Sequence, residues 1–331
     1  MKKNLIGVMI SLVFLGLLFF LMRGQVPEII SALKNANHGL IFLSAAIFLL
    51  TTIPMGLRLQ MVFGTKDIKI KLSDTANLTF IGYFFNNFLP TSVGGDFVKA
   101  MCAARLTQEP IKSFTAVMMD RIFGLFTFIL IPSASLFFLR GKIDHRVPVI
   151  VYSFLVFSMV FFIFLFNRDI ARRFSIGEDL FNRLGVGPKI RQIYDELHDF
   201  KNHKGVATAA MLLSLVGQSI SIFVMYLLAV ALGADPHLWI YFFLLVPVVQ
   251  LISMLPSLNG LGIREGAYIY FLKNYIGSEK AAAIGILGLG LLLLFSIVGG
   301  IIYLLRRDYQ IHFSKINSEG KPNESSFKKS I

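Results

Sequence analysis

The sequence predicts an all-α polytopic membrane protein, with about six full spans and two Pro/Gly-broken re-entrant hairpins, eight or so membrane segments in all. Three observations predict it. Only 15% of the 331 residues are charged and 55% are hydrophobic, whereas an ordinary soluble domain is about 25% charged. Apolar runs near 20 residues long recur from end to end, the length that crosses a bilayer as a helix. Two of the apolar regions also break in the same manner, at Pro90 and at Pro256. The first reads Asn86-Asn87-Phe88-Leu89-Pro90-Thr91-Ser92-Val93-Gly94-Gly95-Asp96; the second runs from Leu255-Pro256 through Asn259, Gly260 and Gly262 to Arg264-Glu265. Proline removes a backbone donor and clashes with the preceding turn. Broken helices at membrane depth are tolerated only where they are buried in protein or line a wet cavity.

The elements follow in order. Met1-Lys2-Lys3 precedes an apolar run longer than a signal-peptide core with no Ala-X-Ala site after it, so residues 4–22 read as an uncleaved first span. Further full spans are 39–62, 113–139, 147–166, 205–232 and 281–305. The two remaining apolar regions, 76–104 and 239–276, each hold one break. The halves are therefore 1–166 and 205–305, joined by a polar interval at 167–204 and followed by a tail at 306–331. Within that interval Ile190, Ile193, Tyr194, Leu197 and Phe200 recur at helical steps among charges. This suits an amphipathic linker helix, lying at the membrane interface or packed on its own bundle. The tail is rich in Ser and Lys and reads as largely disordered.

Charge places these elements relative to the membrane. Lys2, Lys3, Lys66, Lys69, Lys71, the bases of 167–204 and Arg306-Arg307 all belong in the cytoplasm by the positive-inside rule. Both termini are then cytoplasmic in a multi-pass protein of the cell membrane. Because spans 113–139 and 147–166 together leave the cytoplasm and return, 76–104 must enter and return on the cytoplasmic side. By the same count 239–276 enters and returns on the outer side. The two halves thus read as an inverted repeat, with paired breaks pointing to a transport site. Two short tilted crossings in place of each hairpin satisfy the count equally well, and Arg140, Lys142 and Arg146 lie on the outer side against the rule.

The net charge of +13 is explained by these loop bases, which set topology and attract anionic headgroups, not nucleic acid. The single cysteine, Cys102, excludes an internal disulfide and a cysteine-based metal site, and reads as a buried small hydrophobe. All six histidines fall in loops or the tail, with no metal-ligand spacing, and no nucleophile elbow or P-loop is present. No metal, cofactor or catalytic residue is expected, and an enzyme is not the leading reading.

Ionisable residues inside the membrane are costly and mark functional sites by default. Asp96 and Glu265 fall in the first turns of the returning half-helices, where acids also cap free amides, so a purely structural role stands beside a binding one. Lys99 lies one turn beyond Asp96; Arg264 adjoins Glu265 and need not pair with it. Helix N-termini near the midplane, with Lys99 and Arg264, suit a phosphate. Asn86, Asn87 and Asn259 flank the breaks and are cavity candidates, as hinge roles fall to Pro90, Gly94, Gly95, Pro256, Gly260 and Gly262. Arg58, Asp120 and Arg121 are secondary candidates, since their places near span ends also suit snorkelling at the interface. Gln218 and Gln250 are polar groups at depth, for helix contacts or a cavity. Gly285, Gly288, Gly290, Gly299 and Gly300 read as close-packing positions.

At these motifs the chain resembles the lysylphosphatidylglycerol synthase transmembrane-region family of flippase-like membrane proteins. The matching residues are Asn87, Pro90, Gly94, Gly95, Asp96 and Lys99, then Asp120-Arg121 with Gly124, and Pro256, Gly260, Gly262, Arg264 and Glu265, in order along 4–305. Lys99 stands where many members carry arginine. The resemblance implies a domain that moves a lipid or its headgroup across the bilayer. In two-part synthases a soluble aminoacyl-transferase domain follows; the 331 residues hold none, so lysyl transfer by this chain alone is not expected. The expected function is a lipid translocase for an anionic or headgroup-modified (glyco)lipid. The alternative is an accessory or catalytic membrane subunit of lipid-linked sugar or aminoacyl-phospholipid synthesis. Expected partners are membrane lipids with anionic headgroups and, secondarily, a glycosyltransferase or lipid-modifying enzyme; a homo-oligomer is compatible with this reading.

Overall fold

A computed structural model describes residues 26–89, 94–141, 143, 146–166, 187–254 and 260–309. The expected first span, the prolines of both breaks, Asn259 and the tail from 310 lie outside them. Among the described residues all regular structure is helical. The helices are α1 (Val26–Lys34), α2 (His38–Leu50), α3 (Thr52–Gly64), α4 (Leu72–Phe88), α5 (Gly94–Thr107) and α6 (Pro110–Phe138). After them come α7 (Arg146–Phe166), α8 (Gly187–His198), α9 (Lys204–Ala231), α10 (Trp239–Ile252), α11 (Ile263–Ile276) and α12 (Ser278–Leu305). Among the described residues four stretches are long and apolar enough to cross a membrane: His38–Gly64, in which α2 and α3 run together, Pro110–Phe138, Lys204–Ala231 and Ser278–Leu305. The expected span 147–166 coincides with α7, whose described apolar stretch, Arg146–Phe161, is shorter. Helix α1 was not anticipated; nine residues carry too few turns to show a period. Side chains that would be buried in a soluble protein are exposed here, among them Phe42, Phe138, Phe157 and Leu305.

Local chemistry sets the helix ends. The Asn37 side chain accepts from the Leu40 amide and starts α2, while Pro110 opens α6, where its missing N–H costs nothing. Thr51 keeps helical backbone angles, so α2 continues into α3 through the segment before Pro54. Gly277 (φ +85°) makes the tight turn from α11 into α12, a left-handed conformation that a side chain would strain.

Contacts sort the loops to two ends of the bundle. At one end Lys66 meets Glu196 and Asp199, and Arg306 and Tyr309 meet Asp74. At the other, the Asn37 amide donates to the Ala231 carbonyl and Lys280 to that of Gly233. The first end carries most of the loop bases. One buried apolar cluster fills each end. Linker helix α8 packs on α6 and α7, and Leu197 and Phe200 bury against the base-rich end. Its apolar stripe is thus used at least in part on its own bundle.

Both break regions are helix pairs. α4 packs on α5 and α10 on α11. The two pairs take equivalent places: α5 packs on α6 as α11 packs on α12, α3 on α4 as α9 on α10, and α3 on α6 as α9 on α12. Each first arm also lies on the long helix of the opposite half, α4 on α12 and α10 on α6. The arms α5, α10 and α11 have 14 residues each, half the 28 of α12. At 1.5 Å per residue that is about 21 Å against about 42 Å. Near the end of α4, Asn87 reaches the Leu292 carbonyl, midway along α12. Close packing by glycine lets this happen: a Cβ at Gly299 would collide with the Phe80 carbonyl and one at Gly300 with the Phe84 ring. Gly285 and Gly288 are also filled closely, against Glu265 and Met225, whereas Gly290 faces open space and is not a packing position.

Candidate functional site

A cavity of about 270 Å³ lies between the two halves, lined by α2–α6, α9, α10, α11 and α12. Its charged walls begin with Asp120. The carboxylate accepts from Arg58 Nε at 2.6 Å and Lys99 Nζ at 3.1 Å, and Arg58 Nη1 donates to Ser214 Oγ at 2.7 Å. All three charged side chains are about 5% exposed (Arg58 6%, Lys99 6%, Asp120 5%). Four helices, α3, α5, α6 and α9, are therefore tied at one point. Gly124 leaves room for the Arg58 guanidinium, since a Cβ there would sit 3.4 Å from Nη1.

Arg58, Asp120 and Arg121 were expected to suit snorkelling, and the structure places the first two differently. Asp120 is ten residues into α6, about 15 Å from its start, and faces inward. A buried charge loses its hydration and persists only when paired and hydrogen-bonded, which Asp120 achieves with two bases. Arg121 pairs with Asp96 at 2.9 Å. Lys99 and Asp96, one turn apart on α5, thus take separate partners on α6.

Asn86 accepts the Gly95 amide at 2.9 Å, tying the end of α4 to the start of α5. A Cβ at Gly95 would collide with the Gly82 carbonyl, so glycine is required for this approach. In the second pair, Glu265 accepts the Gly262 amide at 2.6 Å, and its other oxygen accepts from Arg264 Nε and Nη2 at 3.1 and 2.9 Å. The adjacent pair does meet, because Gly262 at φ +83° lets the first turn of α11 curl onto the carboxylate. Arg264 lines the cavity; Glu265 stands behind it and does not. Gly260, also at positive φ, packs directly on Ser253.

Of the expected site residues, the structure gathers Asn86, Asn87, Asp96, Lys99, Arg264, Arg58, Asp120 and Arg121 around one cavity. The polar lining extends to Thr79, Tyr83, Gln218, Ser221, Gln250 and Ser253. The hydroxyls were not anticipated. Serine and threonine return a bond to their own helix, as Ser221 does to Gly217 and Ser253 to Val249, so their presence in a span carries no signal. Among the described residues four bases and two acids line the cavity, and Glu265 against Arg264 offsets one base, which leaves an excess of one positive charge.

The family model of the lysylphosphatidylglycerol synthase TM region matches residues 4–300. The chain belongs to this family. Integral membrane character follows for this lysylphosphatidylglycerol synthase TM-region protein from the match and from its apolar helices together. Neither the curated proteins nor the solved structures include a match.

Proposed function

We propose that this protein is a flippase-like translocase whose central cavity takes the anionic headgroup of a lipid while the acyl chains stay in the bilayer. The observation that carries the reading is a polar cavity with a cationic excess, set between two similarly packed halves inside an apolar exterior. A phosphodiester is the natural complement of such a lining: forked guanidiniums and a buried ammonium recognise its oxygens. Among the described residues Arg264 pairs through Nε and Nη2, which leaves Nη1 for a ligand, and Lys99 bonds Asp120 alone. A phosphate entering here competes with Asp120 for Lys99 and Arg58, which couples occupancy to the ion pairs that tie four helices.

The half-length arms, and the meeting of Asn87 with the middle of α12, support re-entrant hairpins of opposite entry and hence an inverted repeat. Rocking of one half against the other about the Pro/Gly breaks then exposes the cavity to each side in turn. The base-rich end faces the cytoplasm and the membrane is the cell membrane.

The test is lipid movement in proteoliposomes, read with a headgroup-labelled anionic lipid and a quencher added outside. Arg264→Ala should slow movement at least about tenfold, the loss expected when a buried charged partner is removed. Arg264→Ala with Glu265→Gln, which leaves no orphaned carboxylate, should be equally slow. Unchanged movement in the folded double variant refutes the phosphate role.

A further inference from the structure

The carboxylates around the cavity are held to very different degrees. The Asp120 side chain is 6% exposed and accepts hydrogen bonds from Arg58 and Lys99. Glu265, equally buried, is held by the Gly262 amide and twice by Arg264. Among the described residues Asp96 has one base, Arg121, and the two side chains are 19% and 31% exposed. The buried Asp96 Oδ2 lies 2.9 Å from Arg121 Nη1, yet it accepts no hydrogen bond. It has a counter-charge but no N–H aimed at it. Buried polar atoms are nearly always hydrogen-bonded, and an exception calls for a water, an ion or a functional reason.

The groups that surround Asp96 are committed elsewhere. From α6 it faces Arg121 and, one residue earlier, Asp120, whose charge is shared by two bases. On α5 itself Lys99 goes to Asp120. From α4 comes Tyr83, which lines the same cavity and donates its hydroxyl to the Met55 sulfur. The segment Arg307–Tyr309 packs on α5 at Cys102, six residues and about 9 Å along the helix from Asp96. Arg58 and Arg264 complete the charged lining, and among the described residues no histidine joins it. A proton on Asp120 would strip two buried bases of their shared counter-charge, which is costly. A proton on Asp96 releases a single arginine that is already partly exposed.

Resting on the translocase reading, we infer that Asp96 is a proton-binding site and that one proton crosses with each anionic lipid, in the same direction. The proton comes from water and rests on the Asp96 carboxylate; no bond to the lipid forms or breaks. A phosphate and an ionised Asp96 compete for Arg121 and repel each other, whereas a phosphate and a neutral Asp96 do neither. Proton and phosphate therefore favour each other's binding, and the coupling is reciprocal by linkage. A phosphodiester and a proton together carry no net charge, so the pH gradient and not the membrane voltage drives the movement.

The experiment is the steady-state distribution of a fluorescent phosphatidylglycerol between the two leaflets of proteoliposomes holding the full chain, read with an external quencher. The vesicles carry a gradient of one pH unit, with the voltage clamped at zero by potassium and valinomycin, over a time in which protein-free vesicles show no movement. The wild type should enrich the probe on the alkaline side, whichever side that is, toward a ratio of about tenfold, the limit for one proton per lipid. A potassium diffusion potential without a pH gradient should leave the distribution even. Asp96→Asn, which keeps the size of the side chain and cannot take the proton, should return the ratio to one. This ratio does not depend on how fast a variant moves lipid, so a slow variant is still decisive. An even distribution in the wild type under the gradient, enrichment driven by voltage alone, or enrichment that survives in Asp96→Asn overturns the inference and leaves the translocase reading standing. Wild-type movement no faster than in protein-free vesicles overturns the translocase reading itself. The wild-type distribution decides the matter even if Asp96→Asn fails to fold.

Discussion

Asp120 is the residue on which the site's charge balance turns. Its carboxylate neutralises part of two buried bases, so removing it leaves Arg58 and Lys99 buried side by side without their shared counter-charge. Asp120→Ala should destabilise the fold by about 3–5 kcal/mol, the usual result of stripping one partner from a buried ion pair. Thermal unfolding in detergent reads this as a fall in midpoint, whereas Asp74→Ala, at the bundle end and hydrogen-bonded to Tyr309, should lower it far less. The side chain of Asp199 offers a pH test outside the membrane. The Asn202 amide and the Lys66 ammonium hold its carboxyl below the ordinary value near 4. The charged form is therefore favoured when the linker is docked; its contribution is present at neutral pH and fades as pH falls below about 4. The carboxyl is nearly half exposed, so the effect is small. Spin labels at Lys69→Cys and Lys201→Cys should report a tighter distance distribution at pH 7 than at pH 3.5.

At the scale of elements, α12 against α4 is the contact most sensitive to a single methyl group. Gly299 brings the α12 backbone onto the Phe80 carbonyl. Gly299→Ala should cost about 1–3 kcal/mol, since backbone and not a flexible side chain must move. Gly290→Ala, on the same helix with nothing nearby, should be neutral or stabilising by less than about 1 kcal/mol. A thermal midpoint that drops equally in both would mean that helix propensity, not packing, governs α12. Much of this level was readable beforehand: 76–104 and 239–276 do form helix pairs, because proline and glycine act locally on the backbone. The partner of each arm was not readable. α4 meets α12 across more than 200 residues of chain, and glycine spacing alone does not say which glycines face a neighbour.

For the whole molecule, the sorting of loops to a base-rich and a base-poor end predicts orientation. Cysteines at Lys69 or Lys201 should react with impermeant maleimide only in inverted vesicles, and one at Asp235 only in intact cells. The native thiol gives no background, since Cys102 is fully buried. Labelling of Lys201→Cys from outside would invert the proposed topology.

The sequence by itself determined the helical membrane class and the two helix pairs, and it offered as candidates the charged residues that line the cavity, Arg58, Asp120 and Arg121 only as secondary ones and Glu265 in excess. Apolar run length, backbone restriction at proline and the cost of desolvating charge are local properties, and each residue carries them wherever it folds. Only the tertiary structure decided how the charges are shared. Arg264 turned to its own neighbour Glu265, Asp96 and Lys99 parted to different partners, and Asp120 moved from the margin to the centre. Gln218 and Gln250 likewise came to line one cavity only once α9 and α10 had been brought together. Which partner a buried charge takes depends on distances of a few ångströms between helices far apart in the chain, and no spacing along the sequence encodes those.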